Sequence, residues 1–347
     1  MPSWLSHTVR RLSGTSAKLI LLMAGFLALW GMLAPITTIV WWLNQTSASL
    51  GFDAKEKEKP DLLNQDDLEA APSQINCYIV FLPGVGNFSP NEIADGEEYF
   101  IDQLAARHDN CVAVKDVFPY SVANRDLDSQ NALTPIWEAA KNSEYFPGQV
   151  FIQIRNLWRF AISADDRYGP VYNLGIARTI VERMHAAEPI ARSDQPINLI
   201  LMSTSGGTQV ALGATDHLHD WIDRARITVV SIGGTFEGRE GFNNAEHVYH
   251  FYGDRDWVTD LPHVLFPARW PWVVGSPVNQ AQREDRYTVC NSGDSEHTGS
   301  QGYFGEAIAT GSTTYLKQTL EEIDQLPLWS LDQPLTDDCP VQKADAG

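Results

Sequence analysis

INLILMSTSGGTQVALGA, residues 197 to 214, joins three patterns in one short segment. Its apolar first part stops abruptly at Ser203-Thr204-Ser205-Gly206-Gly207, and helix-compatible residues follow at once. This order predicts a buried strand, a very tight turn and a helix. A serine at such a turn can be held in a strained backbone conformation above a helix N-terminus, which suits a nucleophile. The strain needs small residues two before and two after that serine, and Ser203 and Gly207 meet this for Ser205.

The turn resembles the nucleophile elbow of the α/β-hydrolases, G-x-S-x-G, with Ser203 in place of the first glycine. Serine is small but carries a Cβ, so this departure predicts a slightly wider crossing of the strand and the helix. The resemblance implies an α/β fold, a mostly parallel sheet flanked by helices, with Ser205 as the nucleophile. A Ser/Gly-rich connection in any doubly wound α/β protein is the alternative, because short motifs also match by chance.

Length and composition fit one large globular domain. The chain has 347 residues and is 44% hydrophobic, which is enough for an α/β domain of about 250 to 280 residues. The formal net charge is -19, and no basic or aromatic-basic patch stands out. A polyanion would be repelled, so nucleic acid is excluded as a partner.

The N-terminal part predicts a membrane anchor. Residues 19–43 form 25 consecutive positions without a charge, enough for a helix across a hydrocarbon layer about 30 Å thick. A cleaved signal peptide is the alternative, but its apolar core usually has only about 7 to 15 residues. Lys18 and two arginines precede the apolar segment. The positive-inside rule therefore places residues 1–18 in the cytoplasm and the large domain on the extracytoplasmic side, periplasmic or luminal, of a single-pass protein.

A charged stalk and the first domain strand follow. Residues 44–74 carry a KEKEKPD run and lack strong apolar periodicity, which is typical of a spacer. Residues 75–82, INCYIVFL, predict a central parallel strand that ends in a glycine-rich loop, residues 83–87. In the hydrolases such a loop supplies half of the oxyanion hole, so the resemblance implies Gly206 together with Val85 or Gly86. A simple strand-to-helix turn is the alternative for the loop.

The predicted domain covers residues 75–326. Its helices and strands follow in the order that the α/β-hydrolase resemblance implies. Helical and apolar patterns predict helices over 92–108 and 172–187, strands over 111–118, 227–232, 248–252 and 287–290, and a closing helix over 313–325. Residues 120–170 are rich in aromatic residues and are additional to the helices and strands of this order. Within them, residues 149–163 predict an amphipathic helix. We expect either a cap over the site or an extra helix packed on the core. Residues 327–347 are left as a tail.

The resemblance implies an acid and a base at the ends of later strands. GDRDWV, residues 253–258, matches the common family pattern G-x-x-D-x-V, which selects Asp256 over Asp254 and Asp260. The base arrives last in chain order, after the final strand, which selects His297. An Asp-x-Asp pair also occurs at metal sites, but no His or Glu is suitably spaced nearby, so neither a metal nor a cofactor is expected.

The four cysteines suit an oxidising compartment. In the α/β-hydrolases the strand that carries Cys77 neighbours the strand that carries Cys111, so the resemblance implies a bridge between them. Cys290 and Cys339 are the remaining pair. Free buried thiols are the alternative.

Function remains open among three classes. The first is a membrane-anchored serine hydrolase that cleaves an ester, a thioester or a lipid acyl bond. The second is an acyltransferase on the same fold, and the third is a non-catalytic binding or scaffold domain. Residues 261–280 contain several aromatic residues that could line an acyl pocket, touch lipid or pack over the cap, and we expect packing. The oligomeric state cannot be predicted.

Overall fold

The computed structural model describes residues 60, 63, 75–87, 93–121, 147–190, 196–222 and 224–340, without the side chains of 147–149 and 151. The predicted anchor, the rest of the stalk and much of the segment expected to form a cap lie outside these residues. In the described part of the chain, no helix is long and apolar enough to span a membrane.

The central element is a six-stranded sheet in which every pairing is parallel. Its strands are β1 Cys77–Leu82, β2 Cys111–Val114, β3 Ile197–Thr204, β4 Ala225–Ile232, β5 His247–Tyr252 and β6 Tyr287–Asn291. Their spatial order is β2-β1-β3-β4-β5-β6. Two very short strands, β7 Ile308–Thr310 and β8 Thr313–Thr314, form a separate antiparallel pair. The α/β class with a mostly parallel sheet is thereby confirmed.

Helices cover both faces of this sheet. They are α1 Asp95–Arg107, α2 Pro147–Ser163, α3 Gly169–Ala187, α4 Gly207–Trp221, α5 Leu261–Leu265, α6 Pro277–Arg283 and α7 Tyr315–Asp324, with 3-10 turns at Trp257–Asp260 and Pro267–Arg269. Buried residues of α3 and α4 belong to one core cluster and those of α1 and α7 to the other. Successive β1 side chains alternate between the two clusters, because side chains of a strand point to opposite faces. Each face therefore has its own hydrophobic core.

Strand β2 ends at Val114, four residues before the predicted end at Phe118. The next side chain, Lys115, donates hydrogen bonds to Glu98 and Asp102 on α1. Val117 and Phe118 are buried although they follow the strand. Their apolar character thus reflects burial in a loop, which a pattern of hydrophobic residues cannot distinguish from a strand.

The described core extends beyond residues 75–326 on both sides. Leu63, from the predicted stalk, is buried in the cluster that contains α3 and α4. Residues 327–340, which we name the C-terminal strap, place Leu328 and Trp329 in the opposite cluster. Arg226 at the start of β4 donates hydrogen bonds to four strap carbonyl groups. The strap is therefore part of the domain.

Two disulfide bonds are present, Cys77–Cys111 and Cys290–Cys339. The first joins the beginnings of neighbouring strands β1 and β2, where the two cysteines are paired in register. The second joins β6 to the strap. The pairing that the family resemblance implied is confirmed, and no cysteine of the chain is left as a free thiol.

Candidate active site

Ser205, Asp256 and His297 meet at the carboxyl edge of the parallel sheet. His297 Nε2 lies 3.0 Å from Ser205 Oγ, and His297 Nδ1 lies 2.9 Å from both carboxylate oxygens of Asp256. The Asp256 side chain is fully buried, while the His297 side chain keeps 18% of its surface exposed. The three residues come from three loops, after β3, β5 and β6. Their arrangement is that of a nucleophile, a general base and an orienting carboxylate.

Ser205 has a strained backbone. Its φ is +48°, in the left-handed region that residues with a Cβ rarely adopt. Its carbonyl oxygen accepts hydrogen bonds from the backbone N–H groups of Thr208 and Thr235, which hold the turn. Helix α4 begins two residues later, at Gly207, so the helix N-terminus lies beside the serine. A Cβ on Gly207 would lie 2.6 Å from the Pro83 carbonyl oxygen, so the close crossing requires glycine there.

Ser203, the serine at the first glycine position of the motif, is accommodated by hydrogen bonds. The residue is completely buried, and its Oγ lies 3.0 Å from Thr208 Oγ1. Thr208 Oγ1 in turn lies 3.2 Å from Ser231 Oγ, which lies 2.9 Å from His250 Nδ1. A chain of buried hydroxyl groups thus supports the turn from below. The serine that replaces glycine at this position therefore does not leave a buried hydroxyl group without a hydrogen bond.

Asp256 is held by two further donors. The Tyr303 hydroxyl donates to Asp256 Oδ2 at 2.8 Å, and the Val258 N–H donates to Oδ1 at 3.0 Å. The Tyr303 oxygen itself accepts from the Gly253 N–H at 2.8 Å. Burial and the negative charge of Asp256 raise the pKa of Tyr303, so the hydroxyl keeps its proton and remains a donor. Tyr303 is a positioning residue that the sequence motifs did not indicate.

The loop after β1 lies against the elbow. A Cβ built on Gly206 would lie 2.8 Å from a methyl carbon of Val85, whereas Gly86 is exposed and has open space around it. Asn156, a buried residue of α2, donates to the carbonyl groups of Val85 and Asn87 at 2.9 and 2.8 Å. These contacts fix the loop next to Ser205. Of the two residues considered for the loop donor, Val85 is the one in contact with Gly206.

A buried carboxyl group joins the same loop to the elbow. Glu97 Oε1 accepts from the Thr204 hydroxyl at 3.2 Å, and Oε2 accepts from the Asn87 amide at 3.4 Å. Burial raises the pKa of Glu97, and the two hydrogen bonds offset part of this rise. Glu97 therefore connects Thr204, the residue before Ser205, to the end of the first loop.

Helix α2 borders the site. A Cβ built on Gly206 would lie 3.3 Å from a ring carbon of Phe160, and the Phe160 ring centroid is 6.2 Å from that of Phe266. Because α2 also carries Asn156, one helix both clamps the first loop and lines the mouth of the site. The helix that the sequence placed at 149–163 thus lies at the site, while residues 122–146 of the segment expected to form a cap are outside the described part.

The expected packing of residues 261–280 is only partly observed. We name residues 257–274 the apolar segment. Its exposed fractions are 74% for Val264, 64% for Leu265, 71% for Trp272 and 61% for Val274. The segment does hold itself together, since Trp270 Nε1 donates to the His263 carbonyl and Asn279 donates to the Trp270 carbonyl. Its backbone is anchored, but much of its apolar surface faces solvent, so the expectation of packing was wrong for these side chains.

Other acidic and histidine side chains on or directly after β5 have partners outside the triad. Asp254 is exposed and accepts a hydrogen bond from the Asn291 amide. His247 pairs with Thr288, and His250 with Ser231. Among the residues that the structure describes, no group of three or more His, Cys, Asp or Glu side chains is arranged to hold a metal ion.

Comparisons with known proteins add no relative. No protein-family model matches the chain, and no curated protein is significantly similar to it. The geometry of the site is therefore the basis for any proposal about function.

Proposed function

We propose that the domain is a serine hydrolase of the α/β-hydrolase type, which cleaves an ester, a thioester or a lipid acyl bond through an acyl-enzyme on Ser205. One observation carries the proposal. Ser205 combines a left-handed backbone conformation with an Oγ 3.0 Å from a histidine nitrogen, and that histidine contacts a buried carboxylate. A serine that was strained only for structural reasons would not be expected to have a histidine and a buried carboxylate aligned with its hydroxyl group.

In the proposed reaction, His297 Nε2 takes the Ser205 proton as Oγ attacks the carbonyl carbon of the substrate. Asp256 keeps the Nδ1 proton on His297 and stabilises the imidazolium that forms. The negative oxygen of the tetrahedral intermediate is held by the N–H groups of Gly206 and Val85. The imidazolium then protonates the leaving alcohol or thiol, and the acyl group stays on Ser205. A water molecule, deprotonated by His297, attacks this acyl group and releases the carboxylic acid and the free serine.

A membrane-associated acyl substrate is part of the proposal. Residues 19–43, which lie outside the described part, have the length and composition of a membrane anchor. The apolar segment exposes Trp257, Leu265 and Trp272, and Phe266 of the same segment borders the mouth of the site through Phe160. Two disulfide bonds favour an extracytoplasmic domain, because such bonds persist in oxidising compartments.

Covalent labelling tests the proposal directly. The full-length protein is treated with a fluorophosphonate probe, and the labelled peptide is mapped by mass spectrometry. We expect labelling at Ser205 that disappears in Ser205→Ala and falls by a factor of about a thousand or more in His297→Ala, because the serine then lacks its base.

Ser300→Ala is the matched control, since Ser300 is an exposed serine in the same loop as His297. Its labelling should equal that of the unaltered protein. Folded protein that takes up no label, or label that survives Ser205→Ala, would show that Ser205 is not an activated nucleophile.

A further inference from the structure

A cavity lies beside β5 and β6, under the apolar segment and α6. Its volume is about 670 Å³, within the range of small-molecule sites. None of the triad side chains lines it. Thr259, which does line it, donates its hydroxyl proton to the Asp256 carbonyl, so the cavity adjoins the candidate active site without including it.

Arg269 contributes a buried and uncompensated positive charge to this cavity. Only 4% of the residue is exposed. Its Nε and Nη1 atoms are shielded from solvent and have no hydrogen-bond partner among the described residues, and no carboxylate of those residues forms an ion pair with it. Its guanidinium carbon lies 4.0 Å from the centroid of the Phe236 ring. An aromatic face offsets only part of the cost of removing a cation from water.

The Nη2 atom of this arginine contacts two side chains that also line the cavity. Nη2 now contacts the His263 Nε2 atom at 3.1 Å and, at 3.4 Å, the Tyr287 hydroxyl. Burial and the Arg269 charge lower the pKa of His263, which keeps its ring neutral and able to accept this bond. His263 belongs to α5, an exposed five-residue helix, so the ring can move away without disturbing the core. A neutral imidazole is a weaker acceptor for a guanidinium than an anion would be.

Charge around the cavity favours an anion over a cation. Two arginines line it, Arg269 inside and the exposed Arg283, against one carboxylate, Asp260. The chain as a whole carries -19, so this locally positive pocket runs against the general charge of the protein. The remaining wall includes the apolar side chains of Val274, Val278 and Val289.

We propose that this cavity binds a small organic anion, a carboxylate or a phosphate monoester, whose charged group pairs with Arg269 and whose apolar body lies against Val274 and Val278. The anion replaces His263 as the acceptor at Nη2. This assignment goes beyond the proposed hydrolase activity and does not depend on it.

Calorimetric titration tests the site independently of catalysis. The full-length Ser205→Ala protein is titrated with hexanoate and with hexyl phosphate, and with the neutral hexanamide and hexanol for comparison. We expect at least one anion to bind about tenfold or more tightly than its neutral counterpart, since a charge-assisted hydrogen bond is stronger than a neutral one. The tighter anion identifies the ligand class. Equal affinity for charged and neutral compounds, or no binding at all, would overturn the proposal.

Two substitutions of the same type separate the buried arginine from the exposed one. Arg269→Met should weaken anion binding about tenfold or more, whereas Arg283→Met should change it by no more than about threefold, because the exposed charge is screened by solvent. Arg269→Met is expected to fold, since it replaces an unpaired buried charge with an apolar side chain of similar length. Unchanged affinity in Arg269→Met, or a larger loss in Arg283→Met, would contradict the assignment.

A second pair of variants keeps the test valid if Arg269→Met fails to fold. Gln282 is an exposed residue of α6 that lines the cavity. Gln282→Trp should reduce anion binding about tenfold or more by filling the entrance, whereas Gln282→Ala, which removes side-chain atoms, should reduce it far less. Circular dichroism confirms that both variants are folded. Equal binding by the two would show that the anion does not enter this cavity.

Discussion

The triad loops and the apolar segment leave the same edge of the sheet, yet they are built in opposite ways. At the triad, Asp256 is fully buried and accepts hydrogen bonds from His297, Tyr303 and Val258. In the apolar segment, which begins at the next residue, Trp257 is 66% exposed. In the triad loops, hydrogen bonds between polar groups hold the catalytic candidates in place. The apolar segment instead exposes apolar side chains to solvent. This contrast suits a rigid reaction centre beside a surface that meets a partner or substrate.

The largest expected effect comes from the buried carboxylate. Asp256→Asn should reduce the rate of Ser205 labelling by about 10⁴, because an amide cannot keep His297 in the tautomer that accepts the serine proton. Labelling kinetics with the fluorophosphonate probe measure it.

Asp254→Asn is the matched control, since Asp254 is exposed and contacts Asn291 rather than the triad. Its labelling rate should stay within about twofold of the unaltered protein. If Asp254→Asn slowed labelling as much as Asp256→Asn, the buried carboxylate would have no special role in the triad.

A smaller effect is expected at Tyr303. Tyr303→Phe removes one donor to Asp256 and leaves the buried Gly253 N–H without its acceptor, so labelling should slow by about tenfold.

Tyr315→Phe provides the comparison, since the Tyr315 hydroxyl accepts from Arg255 and does not contact Asp256. Its labelling rate should match that of the unaltered protein. A purely structural role for Tyr303 would lower stability in Tyr303→Phe without slowing the labelling of the folded protein.

The smallest effect is expected in the apolar segment. Leu265→Ser should change the free energy of unfolding by less than about 0.5 kcal/mol, because the leucine is already 64% exposed. Val248→Ser, at a position in β5 that is 1% exposed, should cost about 2 kcal/mol or more. Urea unfolding of both variants measures the difference. A loss of more than about 1 kcal/mol in Leu265→Ser would mean that the segment is packed after all.

Regular elements explain what could be predicted from the sequence. Runs of apolar residues identify buried parallel strands, and polar residues directly after them meet at one edge of the sheet, which brings Ser205, Asp256 and His297 together. The Cys77–Cys111 bond agrees with the strand order that the family resemblance implied, and Cys290–Cys339 was the pair that remained. The charge of the chain and its apolar content could be read without any structure.

Contacts between distant loops explain what could not be predicted. Tyr303 reaches Asp256 across 47 positions, and Asn156 reaches Val85 across 71, so no local motif indicates either residue. The exposure of Leu265 was missed because apolar composition predicts burial but says nothing of how a short helix is oriented. The cavity around Arg269 arises only when residues 259–283 fold back over β5 and β6.

The C-terminal strap has a practical consequence for trimming the chain. Its carbonyl groups are the acceptors for Arg226 and for the buried amide of Asn198, and its Cys339 is the partner of Cys290. A stop codon after residue 326 would strip these acceptors from two strands at once and leave a lone thiol on β6. Shortened versions of the protein should therefore be cut after residue 340.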